Sequence, residues 1–306
     1  MTNYIKKFLY HLKSQKNLSK NSISAYKNDL IQFHNYIVSI FEKTDYNIAD
    51  IDKEIIKEYI KNLSLNNIKK TSISRKMAVI RSFFRFLSKR KYINNNPALN
   101  LTTPKTEKRL PAFIDEKSIH NIMELPDTEQ TIGLRNLAIL ELFYSTGIRE
   151  SELMELKLST LYLLENTIKV FGKGSKERII PIGQKATDAI NNYLKKRKEL
   201  FSEITNEDDK EIVFLTNKGK KFYRTGIYNI VKSYLTKAYG GKKCSPHVLR
   251  HTFATHLLDK GADIESVKQM LGHSSLSTTQ IYTHVSIEHL KKVYNKAHPK
   301  AERKTK

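Results

Sequence analysis

Ser245-Pro246-His247-Val248-Leu249-Arg250-His251, followed by Leu271-Gly272-His273 and then Tyr282, brings together the side chains suited to phosphate chemistry. Ser245 reads as an N-cap and Pro246 as the first helical residue, so His247 and Arg250 open a helix. Their i,i+3 spacing points both side chains to one face. A helix N-terminus attracts anions through its free N–H groups and its dipole. An arginine fork can hold two non-bridging phosphate oxygens, and imidazole titrates near neutrality. This spacing predicts a pocket built around one phosphate. The plainer reading, a capping histidine beside a surface arginine, ranks below it because Pro246 sets the helix start.

Other candidates are weaker one by one. Arg149 follows Tyr144-Ser145-Thr146-Gly147-Ile148, where one helix stops and the next begins, and could equally be a surface ion pair with Glu150 or Glu152. Lys173 sits between two glycines in a turn, usually a solvated position. His273 follows a helix-ending glycine, and Tyr282 is one of 16 tyrosines. His247 and His251 have the i,i+4 spacing of a helical zinc site. The general-base position beside the first histidine is Val248, however, and no nearby carboxylate offers a third ligand. His251, His256, His284 and His289 read as structural or peripheral.

These residues need elements to position them. Apolar residues recur at helical spacing in four stretches of the first third: Ile5, Phe8, Leu9, Leu12; then Ile23, Tyr26, Leu30, Phe33, Ile37; then Ile55, Ile56, Tyr59, Ile60, Leu63; then Thr71 to Lys89. In the last, Ile73, Met77, Ile80, Phe84 and Leu87 form one stripe, and Ser74, Arg81, Arg85 and Lys89 line the other face, which carries no acidic residue. With Arg75, that face is expected to track DNA phosphates. Residues 101–112, rich in proline and polar groups, read as a linker between a helical domain, 1–100, and a second domain, 113–306. In the latter, helices are expected over Ile114–Leu125, Ile132–Ser145, Lys185–Leu200, Arg224–Ala238, His247–Lys260, Ile264–Leu271, Leu276–Val285 and Ile287–Lys296. Thr167–Val170 and Glu177–Ile182 are β-prone runs flanking Phe171-Gly172-Lys173-Gly174-Ser175-Lys176, a hairpin signature. The fold class is therefore mainly α with a small β-hairpin or sheet (α+β).

Charge and cysteine content narrow the function classes. The 306 residues carry a formal net charge of +23. Residues 1–109 hold 22 Lys/Arg against 8 Asp/Glu, and the remainder 32 against 23, so the front third has the stronger positive field. That suits a polyanion partner, although a lysine-rich proteome would give a similar composition. A single cysteine, Cys244, excludes an intramolecular disulfide and a thiolate zinc cage. No apolar run approaches the ~20 residues of a membrane span, and the N-terminus lacks a signal-peptide core, so a cytoplasmic protein is expected.

Taken together, STGIRESEL, FGKGSKER and PHVLRHTFATHLLDKGADIESVKQMLGHSSLSTTQIYTHV, in that order, closely resemble the tyrosine recombinase (phage integrase) family, with Xer-type enzymes most similar. The resemblance runs essentially the length of the chain. It implies a two-domain, C-shaped DNA clamp with a SAM-like first domain. It further implies that Arg149, Lys173, His247, Arg250 and His273 form an activating pocket, that Tyr282 is the nucleophile, and that Glu152 supports Arg149. The two arginines would neutralise the non-bridging oxygens, with His273 donating a further hydrogen bond. His247 would accept the tyrosine proton, and Lys173 would protonate the departing 5′-hydroxyl. A 3′-phosphotyrosyl link would conserve bond energy, so neither ATP, cofactor nor metal is expected.

The resemblance implies double-stranded DNA as substrate, a Holliday junction intermediate, and a homo- or hetero-tetramer at the synapse. Chromosome dimer resolution is the expected role, since no arm-binding extension is evident before residue 1. A sister recombinase and a septal DNA translocase are further expected partners. The helix at about 286–298, with Ile287, Leu290, Val293 and Tyr294 on one face, is expected to dock on a neighbouring protomer, the plainer reading being packing against its own catalytic domain. Alternatives are a mobile-element integrase or transposase, a type IB topoisomerase-like enzyme, and a non-catalytic DNA-binding protein.

Overall fold

The computed structural model describes residues 1–16, 18, 20–102, 113–172, 177–240, 244–272 and 284–301. They form two compact units, Met1–Arg109 and Leu110–Lys306. Residues 103–112, most of the expected linker, lie outside the described set.

In the first unit the four apolar stripes become α1 (Thr2–Ser14), α2 (Lys20–Phe41), α3 (Lys53–Leu65) and α4 (Lys70–Lys89). Asp52 caps α3, its carboxylate accepting from the Ile55 N–H at 2.8 Å. All five residues of the α4 stripe are buried, and Val79, Phe83 and Phe86 widen it. Phe8, Phe33, Phe83 and Phe84 meet edge-on or tilted across the interior. Each such buried ring or aliphatic group contributes roughly 1.5–3 kcal/mol. One polar cluster interrupts this core. Buried Asp29 on α2 takes Lys76 at 2.9 Å and also Arg75, so two α4 cations share one carboxylate.

The second unit runs α5 (Glu116–Glu124), α6 (Thr131–Thr146), α7 (Glu150–Met154), β1 (Leu161–Tyr162), β2 (Thr167–Phe171), β3 (Glu177–Pro181), α8 (Gln184–Lys196), α9 (Glu207–Glu211), α10 (Arg224–Tyr239), α11 (Pro246–Asp259), α12 (Ile264–Leu271) and α13 (His284–Ala297). The expected hairpin is the antiparallel pair β2–β3, in which Val170 faces Arg178. The short strand β1 extends it to a three-stranded sheet, order β1-β2-β3. α6 is apolar nearly all round and is buried at almost every position, as a helix without a polar face must be. It forms the centre on which the other elements pack. Among the described residues no helix is long and apolar enough to cross a membrane.

The C-terminal helix, α13, packs on its own unit. Leu290 and Tyr294 belong to the core of the chain's own unit, and the flanking Ala297 and His298 are buried as well. Tyr294 shares a 2.6 Å hydrogen bond with the Ser145 hydroxyl, and His298 Nε2 donates to the Tyr144 carbonyl at 3.1 Å. Lys300 pairs with buried Glu141. Within this chain the α6 C-terminus and the turn at Gly183 meet the apolar face of α13 with matching polar groups.

Candidate active site

Two helix-ending glycines and three arginines build the site. Gly147 ends α6 with φ +57°, and Gly272 ends α12 with φ +65°, the left-handed caps that glycine adopts without strain. Space is short at both. A Cβ on Gly147 would lie 2.5 Å from the Phe253 ring, and one on Gly272 would lie 2.9 Å from the Arg178 guanidinium carbon. These turns aim into one region carbonyls that have no partner within their own helix, and a helix C-terminus carries partial negative charge there.

Three successive carbonyls at the end of α12 each accept from a different arginine. Met270 takes Arg178 Nε at 3.0 Å, Leu271 takes Arg250 Nη2 at 2.7 Å, and Gly272 takes Arg149 Nη2 at 2.7 Å. Arg250 donates in addition to the Gly147 carbonyl. Glu152, on α7, is the one carboxylate bonded to this group among the described residues. Its Oε1 accepts from Arg149 Nη1 and Arg178 Nη1, both at 2.8 Å. Its Oε2 accepts from Arg178 Nη2 and from the Arg149 backbone N–H, both at 2.7 Å. The ion pair weighed for Arg149 is thus real, but it anchors the arginine inside the cluster.

Burial of Glu152 works against ionisation, yet the Arg178 fork and Arg149 overcome it and hold the carboxyl below its ordinary range. Arg250 is pushed down to about 10, first by burial and then by the neighbouring Arg149 charge. It remains a cation at neutral pH. Three guanidiniums against one carboxylate leave excess positive charge. The Arg149 side chain is 39% exposed, whereas Arg178 and Glu152 are 5% and 3% exposed. Arg149 is therefore the member of that trio able to meet a ligand.

The other expected residues divide. Ser245 occupies the N-cap and Pro246 the first turn of α11, as the spacing predicts, although the serine hydroxyl makes no capping bond. His247 is exposed on that first turn, one turn before Arg250. Lys173, His273 and Tyr282 lie outside the described residues, as does most of the expected helix Leu276–Val285. On α4, Arg75, Arg85 and Lys89 are exposed, while Ser74 and Arg81 are half-buried. Arg81 donates to the Leu101 carbonyl, so it also ties α4 to the following segment. His256 is structural, its Nδ1 2.9 Å from the Tyr144 hydroxyl.

Sequence reasoning missed Arg178. On the β-prone run Arg178 shares a face with Ile180 while Ile179 lies on the other, so apolar residues on both faces leave the direction of the arginine open. Its partner carboxylate lies 26 positions away.

Residues 112–289 match the phage integrase family, and residues 5–91 match the phage integrase N-terminal SAM-like domain. Tyrosine recombinase XerC of Pelotomaculum thermopropionicum is 40% identical over 301 residues, covering 97% of this chain and 98% of that protein. Tyrosine recombinase XerD of Staphylococcus haemolyticus is 38% identical over 301 residues, covering 98% and 100%. A XerH site-specific recombinase bound to a palindromic difH substrate shares the fold at TM-score 0.69, with 24% identity, covering 94% of this chain and 83% of that one. With both units matched and relatives near 40% identity over almost the whole length, this chain belongs to the phage integrase family and is a site-specific tyrosine recombinase.

Proposed function

We propose that this enzyme resolves chromosome dimers, cutting and rejoining duplex DNA through a 3′-phosphotyrosyl link to Tyr282 and a Holliday junction. One observation carries the site assignment: Arg149 and Arg250, 101 positions apart in sequence, both anchor on the carbonyls that end α12. Each guanidinium has N–H groups beyond those two anchors, and a phosphodiester is the ligand that a fixed pair of forks suits. The dimer-resolution role is supported by relatives named XerC and XerD that span nearly the full chain.

In this reading the two arginines neutralise the non-bridging oxygens and stabilise the pentacoordinate transition state. His273 adds a hydrogen bond, His247 accepts the phenol proton as oxygen attacks phosphorus, and Lys173 protonates the leaving 5′-oxygen as its bond to phosphorus breaks, giving the 5′-hydroxyl. Glu152 orients Arg149. Exposed Arg75, Arg85 and Lys89, with Ser74 and Arg81, meet DNA from α4. The enzyme works in the cytoplasm on the nucleoid, as a tetramer around two duplexes, with a sister recombinase and a septal DNA translocase as partners. Assembly of that ring through residues 286–298 requires releasing α13 from its own unit.

The test is incubation with a nicked suicide duplex carrying a candidate recombination site. A denaturant-resistant protein–DNA species that disappears in Tyr282→Phe supports the reading. Supercoil relaxation by a lone protomer without a defined site would favour a topoisomerase instead.

A further inference from the structure

We propose that Arg178 is a positioning residue for the reaction: it locks Glu152 and the end of α12 together, and so sets where Arg149 presents its guanidinium. The proposal rests on Arg149 holding the scissile phosphate, as above. Arg178 projects from β3 and reaches three acceptors at once, Glu152 Oε1, Glu152 Oε2 and the Met270 carbonyl, at 2.8, 2.7 and 3.0 Å. Both Glu152 oxygens are shared with Arg149, one with its Nη1 and one with its backbone N–H. The remaining anchor of Arg149, the Gly272 carbonyl, lies two residues beyond the Arg178 anchor at Met270. Both anchors of the Arg149 guanidinium, Glu152 and the Gly272 carbonyl, are thus one bond or one turn from Arg178.

Arg178 itself cannot meet a ligand, since its side chain is 5% exposed and sits behind the carboxylate. A merely stabilising residue would not require this chemistry. Apolar residues of similar volume replace a buried ion pair with little or no loss of stability. What they cannot supply is a planar fork that holds a carboxylate and a helix-end carbonyl in one fixed geometry. Lysine cannot either, because its ammonium is a point charge on a flexible stem. Gly272 fits the same arrangement, as any Cβ there would press on the Arg178 guanidinium.

The experiment uses the full chain and a pool of nicked duplexes with randomised flanks, from which the wild type selects its substrates by covalent capture. Single-turnover capture is then compared for the wild type, Arg149→Ala, Arg178→Met and Arg178→Lys, each on the normal linkage and on a methylphosphonate that removes the negative charge at the cut. Circular dichroism and thermal melting identify folded variants, and Arg178→Lys keeps the test alive should the methionine variant unfold. The expected result is a capture rate at saturating DNA reduced about 10–100-fold in the Arg178 variants, with half-saturation little changed. The uncharged linkage should rescue Arg178→Lys as it rescues Arg149→Ala. Folded Arg178 variants capturing at the wild-type rate would overturn the proposal, as would slowed variants that the methylphosphonate fails to rescue. Absence of capture by the wild type, or full capture by Arg149→Ala, would instead remove the phosphate-holding reading, and this proposal with it.

Discussion

Arg149 Nη2 lies 2.7 Å from the carbonyl oxygen of Gly272, so the exposed arginine of the cluster is bound to the residue immediately before His273. A change in the α12 turn therefore shifts an anchor of Arg149. Gly272→Ala tests this. Forcing a Cβ into a φ of +65° costs about 1–2 kcal/mol, and contact with the Arg178 guanidinium adds to it. We expect the unfolding free energy of the catalytic unit to fall by that amount, measured in urea. Covalent capture of DNA should slow by at least about tenfold, the order expected for misplacement of a reacting group by a fraction of an ångström. A variant as stable and as fast as the wild type would show that the turn tolerates a side chain.

Glu152 invites the complementary change. Its carboxylate is 3% exposed and bonded to Arg149 and Arg178, so Glu152→Ala strands one buried guanidinium without a counter-charge. Breaking a buried pair from one side costs about 3–5 kcal/mol. Urea unfolding should show a loss of that order, with Glu152→Gln falling between the variant and the wild type because an amide oxygen still accepts. A loss under about 1 kcal/mol would mean that solvent replaces the bridge.

Burial of His298 sets a pH dependence. Its imidazole is pushed down to about 3, chiefly by burial and despite its bond to the Tyr144 carbonyl. Nε2 donates to that carbonyl while Nδ1 accepts from the Lys300 N–H, which requires the neutral ring. Unfolded, the group titrates near 6.5. The stabilising contribution is thus complete above pH 6.5 and is lost as pH falls toward 3, where the unfolded chain binds a proton that the folded chain refuses. Stability should drop by up to about 1.4 kcal/mol per pH unit in that window. His256, lowered in the same direction by burial, adds to the slope. His298→Gln should flatten most of it in urea titrations run across pH 4–7; an unchanged slope would exclude His298 as its source.

The same packing alters what a C-terminal deletion can report. Tyr294 is fully buried and bonded to Ser145, whose hydroxyl also accepts from the Gly183 N–H. Tyr294→Ala should destabilise the unit by about 3–5 kcal/mol, the usual cost of emptying a buried aromatic site. Removing all residues after Val285 should then unfold the catalytic unit, as read by circular dichroism, and not merely block assembly. A truncated chain that stays folded and still binds DNA would show that α13 is dispensable in cis.

How much of this was legible beforehand follows from what kind of signal each feature leaves. The helices α1 to α4 announce themselves because one face of each meets a core and the 3.6-residue period survives in the sequence. The β2–β3 hairpin is legible from two β-prone runs around glycines. By contrast, β1, α7 and α9 span two to five residues, too few to display a period. The apolar face of α13 was visible, but its partner was not, since a stripe states only that something must cover it. Arg178 and Lys76 were invisible for another reason. In a chain with 54 basic residues a cation is assumed to be solvated, and only tertiary contact reveals that Asp29 and Glu152 draw these two inside. The Arg149–Arg250 pairing was legible only through the family resemblance, because no local spacing connects residues so far apart.

The face of α4 yields a prediction in which two arginines on one helix behave differently. Arg85 and Lys89 are exposed, so with α4 on DNA as proposed, changing either to alanine removes one cation from the phosphate backbone. Each change should lower the slope of log affinity against log salt by about 1 and weaken binding to all sequences alike. Arg81 is half-buried and already donates to the Leu101 carbonyl. Arg81→Ala should therefore cost stability as well, about 1.5–3 kcal/mol for a bond from a charged donor, detected as a lower urea midpoint for the first unit. Binding titrations at four or five salt concentrations, run beside urea unfolding of each variant, separate the two roles. Equal salt slopes and equal stability for Arg81→Ala and Arg85→Ala would erase the distinction drawn from their burial.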